Sequence, residues 1–381
     1  MGIPNNKKLA GLEALRFIAA LVIVIWHYQH FSFSNGSSHL LFERQPFFSS
    51  LYYVYKYGYA GVKVFWCISG FIFFWKYGDT ISNKAISPKD FAILRFSRLW
   101  PLHFATLIIV AVLQYLYWSP ARHFFVYQTN DLKAFLMQVP MASAWFGQDS
   151  SFNGPIWSVS VEILVYIFFY ALCRLIGSGY VATIGVLIVA EQFRFWPIFT
   201  HRFQSLKTAT VYFFAGGLTA LVAASVNSQI QKLRRSINFV VLAVYVLLAA
   251  TIFVLPATHR LGFEDSGMTI VVATLCVYVF HLVDFRGLRA NSVFAAIGGL
   301  TYSSYLLHFP LQLLIVLLCL RAGWNVPLYA PWFFLIYVAL VFVLAFFCYR
   351  LFELPMQNGI RRKFGLRTYQ TSRNGLRVSP N

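Results

Sequence analysis

The stretch PWFFLIYVALVFVLAFFCYRL, residues Pro331–Leu351, decides the fold class. It contains one charged residue, Arg350, and is long enough to cross the hydrocarbon core of a bilayer, which takes about 20 apolar residues in a helix. The whole chain has the same character, with 59% hydrophobic and 11% charged residues among 381 and a mean hydropathy of +0.64. Soluble domains average about 25% charged residues. The sequence therefore predicts an integral membrane protein.

Nine further runs approach this length and apolarity. Only helices satisfy their own backbone polar groups in lipid without closing a barrel, so each run is predicted to be a helix. The weak run 135–146 contains Pro140 and is too short, and it is predicted to be a re-entrant or surface piece of a loop. We expect a single all-α bundle of about ten membrane helices: Leu12–Tyr28, Ala60–Trp75, Leu99–Tyr117, Ile156–Ile176, Val181–Ile198, Thr208–Val226, Ile237–Leu255, Met268–Leu282, Val293–Leu320 and Pro331–Leu351.

The basic residues indicate an orientation. Lys and Arg total 31 against 12 Asp and Glu, which gives a formal charge of +19. Most of the basic residues fall at the two termini and in alternate loops, and cytoplasmic loops carry such an excess. Both termini are therefore predicted to be cytoplasmic. We divide the chain into a cytoplasmic N-terminus at 1–10, one membrane domain at 11–357 and a basic cytoplasmic tail at 358–381.

Composition also argues against other classes of partner. The positive charge is not arranged as a groove with stacking aromatics, so nucleic acid is not predicted to bind. The five cysteines lie singly within or at the ends of apolar runs, without the paired spacing of a zinc or redox site. We therefore predict no bound metal and no permanent cofactor, with membrane lipids as the surroundings.

The first helix contains two ionisable residues that lipid disfavours. Arg16 and His27 are eleven residues apart, which is close to three turns, or about 16 Å along one face. Charged groups inside a membrane usually mark a functional site. The alternative is that both are polar residues packed against neighbouring helices, with Glu13 neutralising Arg16.

A second pair of cations lies at the inner end of the third helix, in RFSRLWP at Arg95–Pro101. The spacing of three puts Arg95 and Arg98 on one face, where two guanidinium groups can bind phosphates. Basic residues at this position also serve orientation alone. Two histidines, His103 and His281, fall in the inner halves of their helices, nearer the proposed phosphate-binding end than the outer face of the membrane. They are not predicted to be catalytic.

A carboxylate enters the fourth helix in WSVSVE, Trp157–Glu162. Glu162 lies at about the depth of His27 if both helices rise 1.5 Å per residue from their outer ends. It could orient the His27 ring and stabilise the imidazolium form. The alternative is a structural ion pair with a basic residue of another helix: Arg16, Lys63 or Arg194.

The ninth helix contains YSSYLLHFP at Tyr302–Pro310, which brings Tyr305 and His308 to mid-membrane. Pro310 is predicted to kink the helix and free a carbonyl there. A histidine beside such a kink is either a catalytic group or a structural hydrogen-bonding residue, and the sequence does not choose.

These motifs together resemble the membrane-bound acyltransferase 3 family, typified by bacterial O-antigen and exopolysaccharide O-acetylases. The resemblance extends from Gly11 to Pro355. The ordered set is specific although each part alone is weak: the Arg16 and His27 spacing, the Arg95 and Arg98 pair, the glycine-rich stretch Gly61–Phe71, Trp157–Glu162, Tyr302–His308 and Phe352–Pro355.

The resemblance implies a multi-pass protein of the bacterial cytoplasmic membrane that uses cytoplasmic acyl-CoA, expected to be acetyl-CoA, as co-substrate. It implies transfer of the acyl group to a hydroxyl of an outward-facing carbohydrate or similar acceptor. Within that scheme His27 is the base and Glu162 its partner. Arg95 and Arg98 hold the CoA phosphates, and Arg16 meets the pantetheine or pyrophosphate.

Further roles remain open from the sequence. A donor to the developing oxyanion is expected, with Tyr305 or His308 in that role. A covalent acyl-enzyme is neither required nor excluded, and its candidate carriers are Ser69, Ser158, Ser160 and His27 itself. The supporting and oxyanion candidates taken together are Tyr305, His308, Ser69, Trp157 and Ser160.

Two other classes of function compete with this prediction. A transporter or flippase of lipid-linked glycans would also place charges in the membrane, but the internal repeats and paired broken helices typical of transporters are not visible. A non-catalytic membrane subunit would use the polar residues only to join helices. The acceptor itself stays open among lipopolysaccharide, exopolysaccharide, lipo-oligosaccharide, peptidoglycan and a small macrolide.

Overall fold

The computed structural model describes residues 9–35, 40–145, 150–193, 203–229, 231–254, 267–283, 288–366, 369–372 and 375–378. Apart from one short strand pair near the C-terminus, the regular elements in these ranges are helices, and every one of the ten predicted runs coincides with a helix. The helices are α1 Ala10–His27, α2 Phe48–Tyr57, α3 Ala60–Phe73, α4 Asp79–Ser82, α5 Pro88–Ala121, α6 Leu132–Gln138, α7 Trp157–Leu175, α8 Tyr180–Gln192, α9 Gln204–Asn227, α10 Gln231–Val254, α11 Gly267–Leu282, α12 Leu288–Ala322, α13 Pro331–Cys348 and α14 Leu354–Lys363.

Short irregular helices complete these elements. Three are 3-10 helices and two are π-helical turns that join neighbouring α-helices. The two strands, β1 and β2, pair antiparallel. The 3-10 helices are Tyr28–Asn35, Phe42–Arg44 and Gly154–Ile156, and the π-helical turns are Phe74–Gly78 and Tyr349–Glu353. The strands are β1 Tyr369–Ser372 and β2 Gly375–Val378.

The lengths of the helices fit a multi-pass membrane protein. Within the described residues six helices are long and apolar enough to cross a bilayer, and a seventh crossing results if the pair Phe48–Tyr57 and Ala60–Ser82, bent by 62°, is one span. The remaining predicted runs fall on the apolar helices Tyr180–Gln192 and Gly267–Leu282 and on the apolar part of α10, Ser236–Tyr245. For example, α8 has 13 residues, or about 20 Å, against a core of about 30 Å. The end of its predicted run, 194–198, lies outside the described residues.

The chain forms two compact units. The first comprises 1–16, 60–87 and 162–294, and the second comprises 17–59, 88–161 and 295–381. In the first unit α3 and α9 approach so closely that a Cβ on Gly70 would overlap the carbonyl of Phe213, and one on Gly216 would overlap the carbonyl of Cys67. Small residues allow such backbone contact between membrane helices, where packing rather than water exclusion drives association.

In the second unit the segment between α5 and α7, described at 122–145 and 150–156 and called the returning segment below, runs back along α5. Gln114 is bonded to the backbone of Phe125 in both directions, at 2.9 and 3.0 Å, and Trp100 Nε1 donates to Val139 O at 3.0 Å. Gln114 and Trp100 are fourteen residues apart, which is about 21 Å of helix. The predicted weak run at 135–146 thus begins within α6, on the part of the chain that runs back along α5, and its re-entrant or surface course stays a prediction.

Pro310 of α12 frees a carbonyl as predicted. Pro310 has no N–H to donate to Leu306 O, four residues earlier. Asn153, in the returning segment, donates to that carbonyl instead at 3.0 Å. The same turn of α12 carries Tyr305 and His308, so the bond from Asn153 attaches the returning segment to the part of the helix where the candidate site lies.

The last helices extend beyond the predicted end of the membrane domain. The chain continues from α13 through the π-helical turn into α14, which ends at Lys363. Glu353 is buried and accepts from Ser303 Oγ at 2.5 Å, and Arg361 is 4% exposed with its Nε donating to Ser97 Oγ at 3.2 Å. The first residues after 357 are thus helical and docked on the second unit.

Candidate functional site

His27 is the last residue of α1 and is 7% exposed. Its Nδ1 lies 3.0 Å from the carbonyl oxygen of Ile23, one turn earlier. A carbonyl only accepts, so Nδ1 carries the proton and Nε2 is left with a free lone pair. The backbone of α1 therefore fixes the tautomer that a general base requires.

Gln312 connects His27 to a second imidazole. Its Nε2 donates to the backbone carbonyl of His27 at 2.8 Å, and its Oε1 lies 3.3 Å from Nδ1 of His30. Because the amide N–H must face the carbonyl, the amide oxygen faces His30, whose Nδ1 is then the donor. Gln312 is fully buried, so both of its bonds are shielded from solvent.

Three imidazole rings form one cluster. The ring centroid of His27 is 4.8 Å from that of His30 and 4.7 Å from that of His308. His308 is fully buried and, among the described residues, neither ring nitrogen has a hydrogen-bond partner of good geometry, although the carbonyls of Ser304 and Tyr305 lie nearby. The cluster thus combines His27, an oriented base, with His308, whose ring N–H has no hydrogen-bond partner of good geometry among the described residues.

Tyr127 of the returning segment closes the cluster on one side. Its ring is 5.9 Å from that of His30, and it lies so close to Gly154 that a Cβ there would overlap it. Burial, and to a smaller degree the neighbouring Tyr305, raise the pKa of Tyr127 above its usual value. Tyr127 therefore stays a protonated donor.

The hydroxyl of Tyr305 is already engaged in two hydrogen bonds. Its O–H lies 2.7 Å from the carbonyl of Pro155 and 2.8 Å from Ser158 Oγ. With one proton to give, Tyr305 donates to the carbonyl, and Ser158 donates to Tyr305. The hydroxyls of Tyr305 and Ser158 therefore fasten the start of α7 to α12.

Ser160 and Trp157 lie in the first turn of α7. Ser160 is fully buried, and its Oγ accepts from the backbone N–H of Ala144 at 3.0 Å, while its carbonyl accepts from Trp145 Nε1 at 2.9 Å. Ser160 thus holds the returning segment at Ala144 and Trp145. Trp157 is half-buried and is the first residue of α7.

Arg95 and Arg98 are half-buried near the start of α5. Their spacing of three residues places them on one side of the helix. The Arg95 guanidinium lies 5.9 Å from the centroid of the Phe91 ring, one turn earlier. Both arginines belong to the same unit as the histidine cluster.

Three predicted site residues belong to the first unit instead. Arg16 pairs with Glu13 at 3.3 Å, as the sequence indicated. Ser69 is half-buried beside Gly70 of α3. Glu162 accepts from the hydroxyl of Tyr166 at 2.5 Å, within α7. The roles of Arg16, Ser69 and Glu162 toward His27 stay predictions.

Sequence reasoning missed His30, Gln312 and Asn153. Two signals were present: His30 follows His27 by three residues, and Gln312 follows His308 by four, so each lies on the same face as its partner. Asn153 gave no local signal, because its bond to Leu306 joins residues 153 apart. Within the described residues no group of three or more His, Cys, Asp or Glu side chains has an arrangement that could hold a metal ion, and the cysteines there are free.

Comparisons with known proteins agree with the resemblance seen in the motifs. A family described as "Acyltransferase domain" matches residues 9–350. The acyltransferase MdmB of Streptomyces mycarofaciens is 24% identical over 328 residues, which cover 80% of this chain and 79% of that protein. No solved structure matches. Because the family match spans most of the 381 residues, the chain belongs to the acyltransferase 3 family and is a multi-pass membrane acyltransferase.

Proposed function

We propose that this protein transfers an acyl group, expected to be acetyl, from cytoplasmic acyl-CoA to a hydroxyl of a carbohydrate or similar acceptor. The observation that carries the proposal is the 3.0 Å contact between His27 Nδ1 and Ile23 O, which assigns the proton to Nδ1 and leaves the lone pair of Nε2 to act as the base. A sugar hydroxyl is a poor nucleophile until a base takes its proton, and an oriented buried imidazole supplies that base.

The reaction balances without a further reactant. The acceptor oxygen forms a bond to the thioester carbonyl carbon while its proton passes to His27 Nε2. The carbon–sulfur bond then breaks, and the CoA thiolate takes the proton from the imidazolium. His27 therefore ends in its starting state, ready for another turnover.

His308 is the better candidate for the group that binds the developing oxyanion. Tyr305 already donates its O–H to Pro155 O, whereas His308 is fully buried with no hydrogen bond of good geometry among the described residues. A donor that is free before the reaction loses no bond when it meets the oxyanion. Tyr305 is then a positioning residue for α7.

The donor enters from the side of Arg95 and Arg98. With the predicted orientation this is the cytoplasmic side, where acyl-CoA is available, and the basic tail after 358 lies there as well. Guanidinium groups bind phosphates with two parallel hydrogen bonds, which suits the phosphates of CoA. The proposed place of the protein is the bacterial cytoplasmic membrane.

The test is acyl transfer by purified protein and by cells. Changing His27→Ala should lower acyl transfer by about 100-fold to 10,000-fold, the usual contribution of a general base. The measurements are product formation from acetyl-CoA and mass spectrometry of surface glycans for a lost ester. The matched control is His123→Ala, which should leave activity unchanged, because among the described residues the hydrogen bond of His123 is to its neighbouring carbonyl, Phe124 O, and its ring contact is with Tyr117.

Two results contradict the proposal. Full activity of a folded His27→Ala protein removes this residue from the mechanism. Movement of a lipid-linked glycan by protein in liposomes, with no acylated product from acetyl-CoA, contradicts acyl transfer and favours a flippase.

A further inference from the structure

Hydrogen bonds, together with the backbone from Ser151 to Asn153, form a ring of polar residues that joins α5 to the returning segment. His103 Nε2 donates to Gln138 O at 2.6 Å, and Gln138 Nε2 donates to Ser151 O at 2.8 Å. Asn153 Nδ2 donates to Thr106 Oγ1 at 3.1 Å, and Thr106 Oγ1 donates to His103 O at 3.0 Å. Each of these five residues is at most 2% exposed. We call this cluster the α5 polar ring.

Three atoms of the α5 polar ring lack a hydrogen-bond partner in the part of the chain that the structure describes: His103 Nδ1, Gln138 Oε1 and Asn153 Oδ1. All three are acceptors. Gln138 O only accepts, so the His103 nitrogen facing it carries the proton and Nδ1 has none. The same argument places the Gln138 amide N–H on Ser151 O and the Asn153 amide N–H on Leu306 O.

The ring lies between the two parts of the candidate site. On α5, His103 follows Arg98 by five residues, which is about 8 Å along the helix. On the other side Asn153 is bound to the carbonyl of Leu306, in the turn of α12 that carries His308. In the proposed function the phosphates of the donor bind at the arginines and its thioester reaches the histidines, so we expect the part of the donor between them to lie beside this ring.

We propose that the α5 polar ring binds the pantetheine arm of the acyl-CoA donor. The inference rests on the proposed function and deepens it. The arm carries two amide N–H groups and one hydroxyl, which are three donors for three buried acceptors. Leaving a buried acceptor unpaired is unfavourable, so a ligand that brings donors gains affinity there. The chain therefore recognises the arm as well as the phosphates.

Two substitutions of His103 separate binding from structure. His103→Gln places an amide N–H near the position of Nε2, which keeps the bond to Gln138 O and removes the Nδ1 acceptor. His103→Asn does the reverse. The probes are coenzyme A and its armless fragment, adenosine 3′-phosphate 5′-diphosphate, and the Kd of each is measured on purified protein together with the thermal midpoint.

The loss of one hydrogen bond should weaken coenzyme A binding by about fivefold in His103→Gln. The armless fragment should bind this variant as it binds wild type. His103→Asn should keep its affinity for coenzyme A and lose more thermal stability than His103→Gln. Arg98→Ala should weaken both probes, because both carry the phosphates.

The control variant is Gln114→Met. Gln114 is buried on the same helix, but both of its amide atoms are bonded to Phe125, so its loss should lower the thermal midpoint and leave the Kd of coenzyme A unchanged. Equal affinity of wild type and His103→Gln for coenzyme A overturns the inference, and so does equal weakening in both His103 variants. Wild-type protein that binds neither probe overturns the acyl-CoA donor itself, and the inference with it.

Discussion

The two units of this chain are packed by different means. In the first, α3 and α9 touch through backbone atoms at Gly70 and Gly216. In the second, buried polar side chains join α1, α5 and α12, for example through Gln312, which bonds the backbone of His27 and the ring of His30. Backbone contact at glycines is thus prominent in the first unit, whereas the second unit adds buried polar bonds to a buried apolar core.

The difference follows from what each part must do. Helices in lipid associate by close packing, which small residues provide without any polar group. Polar groups in the membrane are costly and are kept where chemistry needs them. The histidine cluster, the α5 polar ring and the two arginines of α5 all belong to the second unit, so the candidate site lies in the unit that has the buried polar bonds.

The largest expected effect comes from breaking the glycine contact. Gly70→Ala should destabilise the protein by about 3 kcal/mol or more, the upper end for overpacking, because the new Cβ meets the carbonyl of Phe213 and a backbone cannot rotate away. The fraction of monodisperse protein and the thermal midpoint after detergent extraction measure it.

The control for this change is Gly185→Ala on α8. A Cβ at Gly185 meets nothing within 4 Å. Alanine is favoured over glycine in a helix by up to about 1 kcal/mol, so this variant should be as stable as wild type or more stable. A Gly70→Ala protein that behaves like Gly185→Ala shows that α3 and α9 do not need backbone contact.

The helices could be predicted from sequence because lipid imposes a simple rule on length and apolarity. Pro331–Leu351 satisfied it, and α13 begins at Pro331. The rule does not fix where a helix ends, so α5, with 34 residues from Pro88 to Ala121, extends beyond its predicted run at both ends. The rule also says nothing about runs that are too short to cross the bilayer. It therefore could not choose between a re-entrant and a surface course for the weak run at 135–146.

The second expected effect is on chemistry. Gln312→Met removes both bonds that hold His27 and His30, and small displacements of a catalytic group cost up to about 100-fold in rate. We expect kcat for acyl transfer to fall by about tenfold to 100-fold, with the donor KM nearly unchanged. Gln312 touches no reacting atom in this scheme and is a positioning residue.

Gln114→Met is again the matched control, since it removes a buried amide of the same unit that bonds Phe125 rather than the cluster. It should lower the thermal midpoint and leave kcat close to wild type. Equal losses of kcat in the two variants indicate that Gln312 acts through general stability only.

The candidate site was predictable only where its residues are close in sequence. His27 and His308 were found because each lies in a recognisable motif, and Arg95 with Arg98 because their spacing defines a helix face. The partners that orient them come from far along the chain: Gln312 and His27 are 285 residues apart. Periodicity describes one helix at a time, so such pairs stayed hidden even though each residue type was visible.

The smallest expected effect tests where the polar second unit ends. Arg361→Ala should destabilise the protein by about 1–2 kcal/mol, because Arg361 is 4% exposed and donates to Ser97 Oγ and, at 3.4 Å, to Leu94 O. Its neighbour Arg362 is exposed, and Arg362→Ala should change stability by less than about 0.5 kcal/mol. Thermal midpoints of the two proteins in one detergent give the comparison. Equal midpoints would mean that the basic tail begins before Arg361 and that α14 does not stabilise the second unit. A lower midpoint for Arg361→Ala, as expected, would mean that the buried polar packing of that unit continues into α14, which ends at Lys363.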